Sequence, residues 1–135
     1  MDLQSPAGLG IASIVYNYDG AVFASDEGRM LAEMGDMSFR LGHLLEDSYE
    51  AMLASPRLLG QLDETMLESV PQCTQCPFLP HCGADPVFHQ ATQQDTVGHK
   101  AFSAFCEKQM GVMRHVITLL EDDPVASRVL RSWVS

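Results

Sequence analysis

The stretch Pro71-Gln-Cys73-Thr-Gln-Cys76-Pro-Phe-Leu-Pro-His-Cys82-Gly83 is the part of the chain around which the rest is organised. It places three cysteines in the pattern C-x2-C-x5-C, and the fourth and last cysteine, Cys106, follows later in the chain. Two residues between cysteines let the backbone turn so that both sulfurs face one point, and the longer gap returns Cys82 from another side. Four thiolates suffice to close a tetrahedral zinc site or to hold one iron–sulfur cluster. The pattern therefore predicts a metal centre on Cys73, Cys76, Cys82 and Cys106.

Other arrangements of the same residues are open at this point. The four cysteines could be independent, some of them buried as small hydrophobic side chains. They could also form two disulfides, although disulfides are rare in the cytosol. His81, which adjoins Cys82, could replace one cysteine in a zinc site of three cysteines and one histidine.

Composition sets limits on the class of protein. With 135 residues, 46% of them hydrophobic, we expect one domain, 1–135, that is large enough for a real core. The net charge of −10, with only eight lysines and arginines, argues against a nucleic-acid partner. The first residues lack the basic region and apolar run of a signal peptide, and no apolar stretch approaches membrane-spanning length. We therefore expect a cytoplasmic protein without a membrane partner.

Local patterns predict an α+β fold. Two apolar runs joined by Asp19-Gly20 predict a β-hairpin at about 11–25, and the short apolar segment 39–42 is expected to be extended. A helical scaffold is expected at about 47–70, with a capping box opening at Asp47 and a second helix beginning at Ser55-Pro56. C-terminal helices are expected at about 98–134, capped again at Asp123-Pro124. The hairpin and helices would pack around the cysteine loop, 71–83.

The C-terminal helical pattern predicts which face of the helix carries Cys106. Apolar residues recur there at steps of three and four, which places them on one helix face. Cys106 belongs to this face and is expected to point inward, toward a metal beneath the helix. The members of the face are Phe102, Cys106, Met110, Met113, Ile117 and Leu120.

The cysteine pattern and the hairpin together resemble the SPASM domain, the C-terminal auxiliary-cluster domain of peptide-modifying radical SAM enzymes. That family has a cysteine, then a glycine followed after four residues by a second cysteine, then C-x2-C-x5-C-x3-C and a final isolated cysteine. Gly20 matches the family glycine, and Cys106 matches the isolated cysteine. Ser25 and Pro86 stand where two further cysteines belong, and no cysteine precedes Gly20. The resemblance covers roughly residues 10–120.

The retained cysteines correspond to one complete site of that family. The missing positions help to hold the first auxiliary cluster, whereas the first three cysteines of the run and the isolated cysteine hold the second. The resemblance thus implies one auxiliary [4Fe–4S] cluster on Cys73, Cys76, Cys82 and Cys106. The stretch from Tyr16 to Met30 is similar to the maturase B group of the His-Xaa-Ser peptide-modification system.

The resemblance also limits what the chain is expected to do alone. Radical SAM chemistry needs a C-x3-C-x2-C motif, which this sequence lacks. The chain is therefore expected not to be an enzyme by itself, to have no catalytic residues, and to work with a radical SAM catalytic domain and a precursor peptide. It would support peptide binding or electron transfer. The alternative is a structural zinc-binding module with four cysteine ligands, used for protein–protein contacts.

Two consequences for stability follow. The prolines of the loop limit regular hydrogen bonding, so a metal is expected to organise the loop and to be part of the fold. Ser25 lies at an emptied cluster position, so its replacement with Ala is expected to change neither metal content nor thermal stability by much.

Overall fold

The computed structural model describes residues 5–133, which have the α+β architecture that the sequence predicts. The chain divides into two compact units, one extending through Lys100 and the other beginning at Ala101. The first unit contains the sheet and most of the helices, and the second contains the last two helices. The expectation of a single domain over 1–135 stays a prediction.

The first unit is built on a three-stranded antiparallel sheet. Strands β1 (Val15–Tyr16), β2 (Ala21–Phe23) and β3 (Arg40–His43) are ordered β1-β2-β3, so the predicted hairpin is confirmed and the segment around 39–42 contributes a strand. Gly20 closes the hairpin turn with φ +90°, and a Cβ there would lie 2.8 Å from Nε2 of His43. Both the dihedral and the close contact require glycine at this position.

Within residues 5–100, five helices accompany the sheet: α1 (Asp26–Glu33), α2 (Tyr49–Leu53), α3 (Pro56–Glu64), α4 (Pro71–Thr74) and α5 (Pro86–Gln93). Helix α3 begins as predicted, because the Ser55 hydroxyl accepts from Leu58 N at 3.3 Å and Pro56 takes the first position. Short 3-10 turns lie at Leu67–Ser69, Leu79–His81 and Lys100–Phe102.

Two predicted details of this region are wrong. Helix α2 is capped by Ser48, whose hydroxyl accepts from Ala51 N, because the carboxylate of Asp47 instead accepts from His43 N at 2.9 Å. The predicted helix also does not continue as far as Pro71, since α3 ends at Glu64, and Pro71 instead opens α4 at the first position, where its missing N–H has no cost. The predicted cysteine loop therefore contains α4 and a 3-10 turn.

The main core of the first unit contains residues that are far apart in the sequence, from Ala7 to Val87. Phe39, Leu9 and Leu58 are among the largest fully buried side chains. Cys73 and Cys82 pack at the edge of this core. Its buried members are Ala7, Leu9, Ala24, Leu31, Phe39, Leu58, Leu67, Ala84 and Val87. The cysteine segment is thus joined to the core through two of its own sulfur-bearing side chains.

The second unit is a pair of packed helices, α6 (Ala104–Asp122) and α7 (Pro124–Ser132). Asp123 ends α6 and caps α7, as predicted, with its carboxylate accepting from Val125 N and Ala126 N. The predicted start at 98 is wrong, because Ser103 caps α6 by accepting from Cys106 N. The predicted inward face is also only partly right, since Phe102 and Ile117 are exposed. None of the helices among residues 5–133 has the length and apolar character needed to cross a membrane.

A pair of glycine substitutions tests this packing. A Cβ at Gly28 would lie 2.6 Å from Cβ of the buried Phe39, so Gly28→Ala should lower the free energy of unfolding by about 1–3 kcal/mol. A Cβ at Gly60, inside α3, would meet nothing within 4 Å, so Gly60→Ala should raise stability by about 0.5–1 kcal/mol. Urea denaturation of both variants measures the difference, and equal effects of the two substitutions would contradict it.

Candidate functional site

Cys73, Cys76 and Cys82 lie in one segment whose backbone is held by its own turns. Cys73 is on α4, and its N–H donates to the Val70 carbonyl at 2.9 Å. Cys76 N donates to the Cys73 carbonyl at 2.9 Å, and Cys82 N donates to the Leu79 carbonyl at 3.2 Å. The expectation that the prolines limit hydrogen bonding in this loop is therefore wrong, because turns form around them. The expectation that a metal is part of the fold stays a prediction.

The four cysteines are alike in their burial and in being free thiols. All are half-buried, and no disulfide joins any of them. Cys73 and Cys82 contact the main core, and the Cys82 thiol donates to the Gly83 carbonyl at 3.7 Å. The disulfide alternative is thus not what the structure has. Four half-buried thiols match the donor chemistry of a zinc or iron–sulfur site.

Cys106 belongs to the second unit, in the first turn of α6. Its N–H donates to the Ser103 hydroxyl at 3.2 Å, so the helix cap fixes its backbone. In the described part of the chain, no group of three or more His, Cys, Asp or Glu side chains is arranged to hold a metal ion. Cys73, Cys76 and Cys82 lie in one segment of the sequence, and the convergence of all four sulfurs stays a prediction.

Two histidines, His81 and His115, are exposed to solvent. His81 is exposed on the 3-10 turn that precedes Cys82, where it could still serve as the fourth ligand beside three cysteines. His115 is exposed on α6.

The two positions at which the SPASM resemblance leaves a cysteine missing both have local structural roles. Ser25 is 4% exposed and caps α1, its hydroxyl accepting from Gly28 N at 3.0 Å. Pro86 is buried and opens α5 behind the Asp85 cap. Loss of an N-cap hydroxyl typically costs about 1 kcal/mol, so the expectation that Ser25→Ala leaves stability unchanged has to be revised.

A buried polar pair that the sequence did not indicate lies near the end of the first unit. His89 is 1% exposed, and its Nδ1 lies 2.8 Å from the Asp85 carbonyl, to which Nδ1–H can donate. Lys100 is also buried, and its Nζ donates to the Val97 carbonyl. Burial lowers the pKa of His89, and the charge of Lys100 lowers it further. The hydrogen bond that the ring donates to the Asp85 carbonyl and the charges of Asp85 and Asp95 act in the opposite direction. The local sequence carries no sign of this burial, because it depends on tertiary contacts.

Comparison with protein-family models gives no match to this chain, and neither a curated protein nor a solved structure matches it.

The buried histidine makes stability depend on pH. Because the pKa of His89 in the folded state lies below its ordinary value of 6.5, the unfolded state binds more protons as the pH falls below 6.5. The stabilisation is complete above that pH and is lost as the pH falls toward the folded pKa. Urea denaturation between pH 7.5 and 5 should show a slope of up to about 1.4 kcal/mol per pH unit from this residue. His89→Gln should reduce that slope, and an unchanged slope would assign the pH dependence to other groups.

Proposed function

We propose that this chain is an auxiliary-cluster module that binds one [4Fe–4S] cluster through Cys73, Cys76, Cys82 and Cys106. The observation that carries the proposal is the state of the cysteines: all four are half-buried and outside any disulfide, and three share one segment. The resemblance of the spacing to the second auxiliary site of SPASM domains supplies the ligand set. Thiolate sulfur is the ligand that iron–sulfur clusters use.

The residues of the chain would hold and shield this group. A bound cluster supplies one-electron transfer. Turn hydrogen bonds between Val70 and Cys82 order the backbone that carries three of the proposed ligands, which would lower the ordering cost of binding. Cys73 and Cys82 lie against the core, so apolar neighbours limit the access of water to that side of the site. The cap at Ser103 orders the helix turn that carries Cys106.

We further propose that the module works with a radical SAM catalytic domain on a precursor peptide in the cytoplasm, supporting peptide binding or electron transfer. The C-x3-C-x2-C motif is absent from this sequence, so the chain by itself would not cleave S-adenosylmethionine. In this proposal the chain is not an enzyme alone, and the similarity of its N-terminal stretch to maturase B of the His-Xaa-Ser system indicates the kind of enzyme it would serve.

A structural zinc module for protein–protein contacts is the second candidate. The observation that favours it is the position of two thiols at the edge of the core, because a closed zinc site of four cysteine ligands contributes directly to folding. The two candidates share their ligands and differ in their metal. Protein with a cluster is brown, whereas the zinc form is colourless.

Anaerobic purification followed by iron, zinc and sulfide analysis tests the proposal. Each of the four Cys→Ser variants should lose most of the metal. Cys106→Ser should also lower the melting temperature, because structural thiolate sites can contribute on the order of 10 kcal/mol to folding. Metal–sulfur distances from X-ray absorption should be about 2.3 Å.

Ser25→Ala is the matched control for these variants. It should reduce stability by about 1 kcal/mol through the lost α1 cap while leaving the metal content unchanged. Full metal occupancy and an unchanged melting temperature in Cys106→Ser would remove Cys106 from the ligand set, and His81→Ala would then test the alternative of three cysteines and one histidine. A well-folded protein that takes up neither iron nor zinc would overturn both candidates.

A further inference from the structure

A cleft of about 740 Å³ opens in the first unit, away from the cysteine segment. The loop 35–38 forms one wall and α3 forms another, and Gln90 and Thr96 complete the lining. The volume is within the range of about 300–1,000 Å³ that is usual for ligand sites. The lining is rich in polar side chains, including Asp36, Arg57, Gln61 and Glu64.

Gln61 brings a buried acceptor to this lining. The side chain is 7% exposed, and its Nε2 donates to the Ser38 carbonyl at 2.9 Å. Its Oε1 is buried and accepts no hydrogen bond from any residue between 5 and 133. Turning the amide over would set its oxygen against the Ser38 carbonyl, so the observed orientation is the better one. A buried acceptor without a protein partner is satisfied by a donor from outside the chain, which is either a water molecule or a ligand.

Two carboxylates lie in the same lining. Asp36 follows the end of α1, where Gly35 at φ +97° and the bond from Asp36 N to the Leu31 carbonyl fix its backbone. Its carboxylate accepts from Ser38 N and from Gln90 Nε2, both at 2.8 Å. Side-chain hydrogen bonds from Ser38 and Gln90 lower the pKa of Asp36, which is therefore anionic at neutral pH. Glu64, the second carboxylate, accepts from the Thr96 hydroxyl.

Two glycines leave space in the cleft, and Arg57 supplies hydrogen-bond donors. A Cβ at Gly35 or at Gly60 would meet nothing within 4 Å, so both positions leave the lining open. Arg57 is exposed, and its Nη1 donates to the Met37 carbonyl at 3.1 Å. A guanidinium has five N–H donors, so Arg57 can also donate to a carbonyl of a bound molecule.

We propose that the cleft binds the cationic head, guanidinium or ammonium, of a basic side chain in a peptide. Such a head carries several N–H donors, one of which would satisfy Gln61 Oε1 while its charge meets Asp36 and Glu64. Arg57 would hold a peptide carbonyl beside it. The net charge of −10 favours the approach of a basic partner. The site does not depend on the metal centre, although it would define the side chain that a precursor peptide has to present.

Titration of the ¹⁵N-labelled full chain with N-acetyl-arginine methylamide tests the cleft. The side-chain amide resonances of Gln61 and Gln90 should shift and saturate. The lysine analogue should act in the same way, and the neutral citrulline analogue, which has the same shape as the arginine probe, should bind roughly tenfold more weakly. Methylguanidinium tests whether the site binds a free cation or a basic side chain within a peptide. If it binds more weakly than the arginine probe, the site is assigned to a peptide. Equal binding of the two would overturn the peptide part of the proposal.

Two substitutions in α3 test whether the arginine probe binds in the cleft. Glu64→Gln removes one charge from the cleft and should weaken arginine-probe binding roughly tenfold. Asp63→Asn removes the same charge from an exposed residue outside the lining and should leave binding unchanged. Equal weakening in both variants, equal binding of the citrulline analogue, or an absence of shifts at Gln61 would overturn the site. Metal content measured on the same samples keeps this outcome separate from that of the metal centre.

Discussion

The close approach of α1 to Phe39 is the contact on which the first unit depends. Gly28 lets the helix backbone pass the Phe39 ring, and Phe39 is fully buried in the main core. The same stretch links the sheet to the helix, since Ala24 N donates to the Phe39 carbonyl and Ser25 then caps α1 through Gly28 N. The core that forms around Phe39 extends to Leu58 on α3 and to the cysteine segment. A side chain at position 28 would therefore disturb strand pairing, helix capping and core packing together.

The cysteine segment is ordered by turns of its own. Hydrogen bonds of the backbone N–H groups of Cys73, Cys76 and Cys82 form these turns, and Cys73 and Cys82 pack against the main core of the first unit. Ser25 and Pro86 complement this picture, because each has a local role in starting a helix. Neither position needs a cluster to explain the residue found there.

Sequence patterns predicted the features whose causes are local. The Asp19-Gly20 hairpin, the Ser55-Pro56 start of α3 and the Asp123 cap each depend on residues within a few positions of one another. The errors arose where a distant or competing partner decides the outcome. The Asp47 carboxylate accepts a hydrogen bond from His43 N, and Ser48 caps α2 in its place. The burial of His89 and the cleft beside Gln61 depend on tertiary packing, which the spacing of apolar residues along the chain does not predict. Spacing along the chain predicts which cysteines would serve as metal ligands, but it does not fix the position of Cys106, so the assembly of a metal site stays a prediction.

Asp123 forms hydrogen bonds to both α6 and α7, and this affects proteolytic cleavage at the junction of the two helices. Its N–H completes the end of α6 through the Leu119 carbonyl, while its carboxylate begins α7. Within the described residues 104–132, no extended run of backbone lies between the two helices. Proteases bind several consecutive residues in extended form, so cleavage at this junction requires the end of one helix to unwind first. The corner between α6 and α7, although it is on the surface, is thereby protected from limited digestion for as long as both helices are intact.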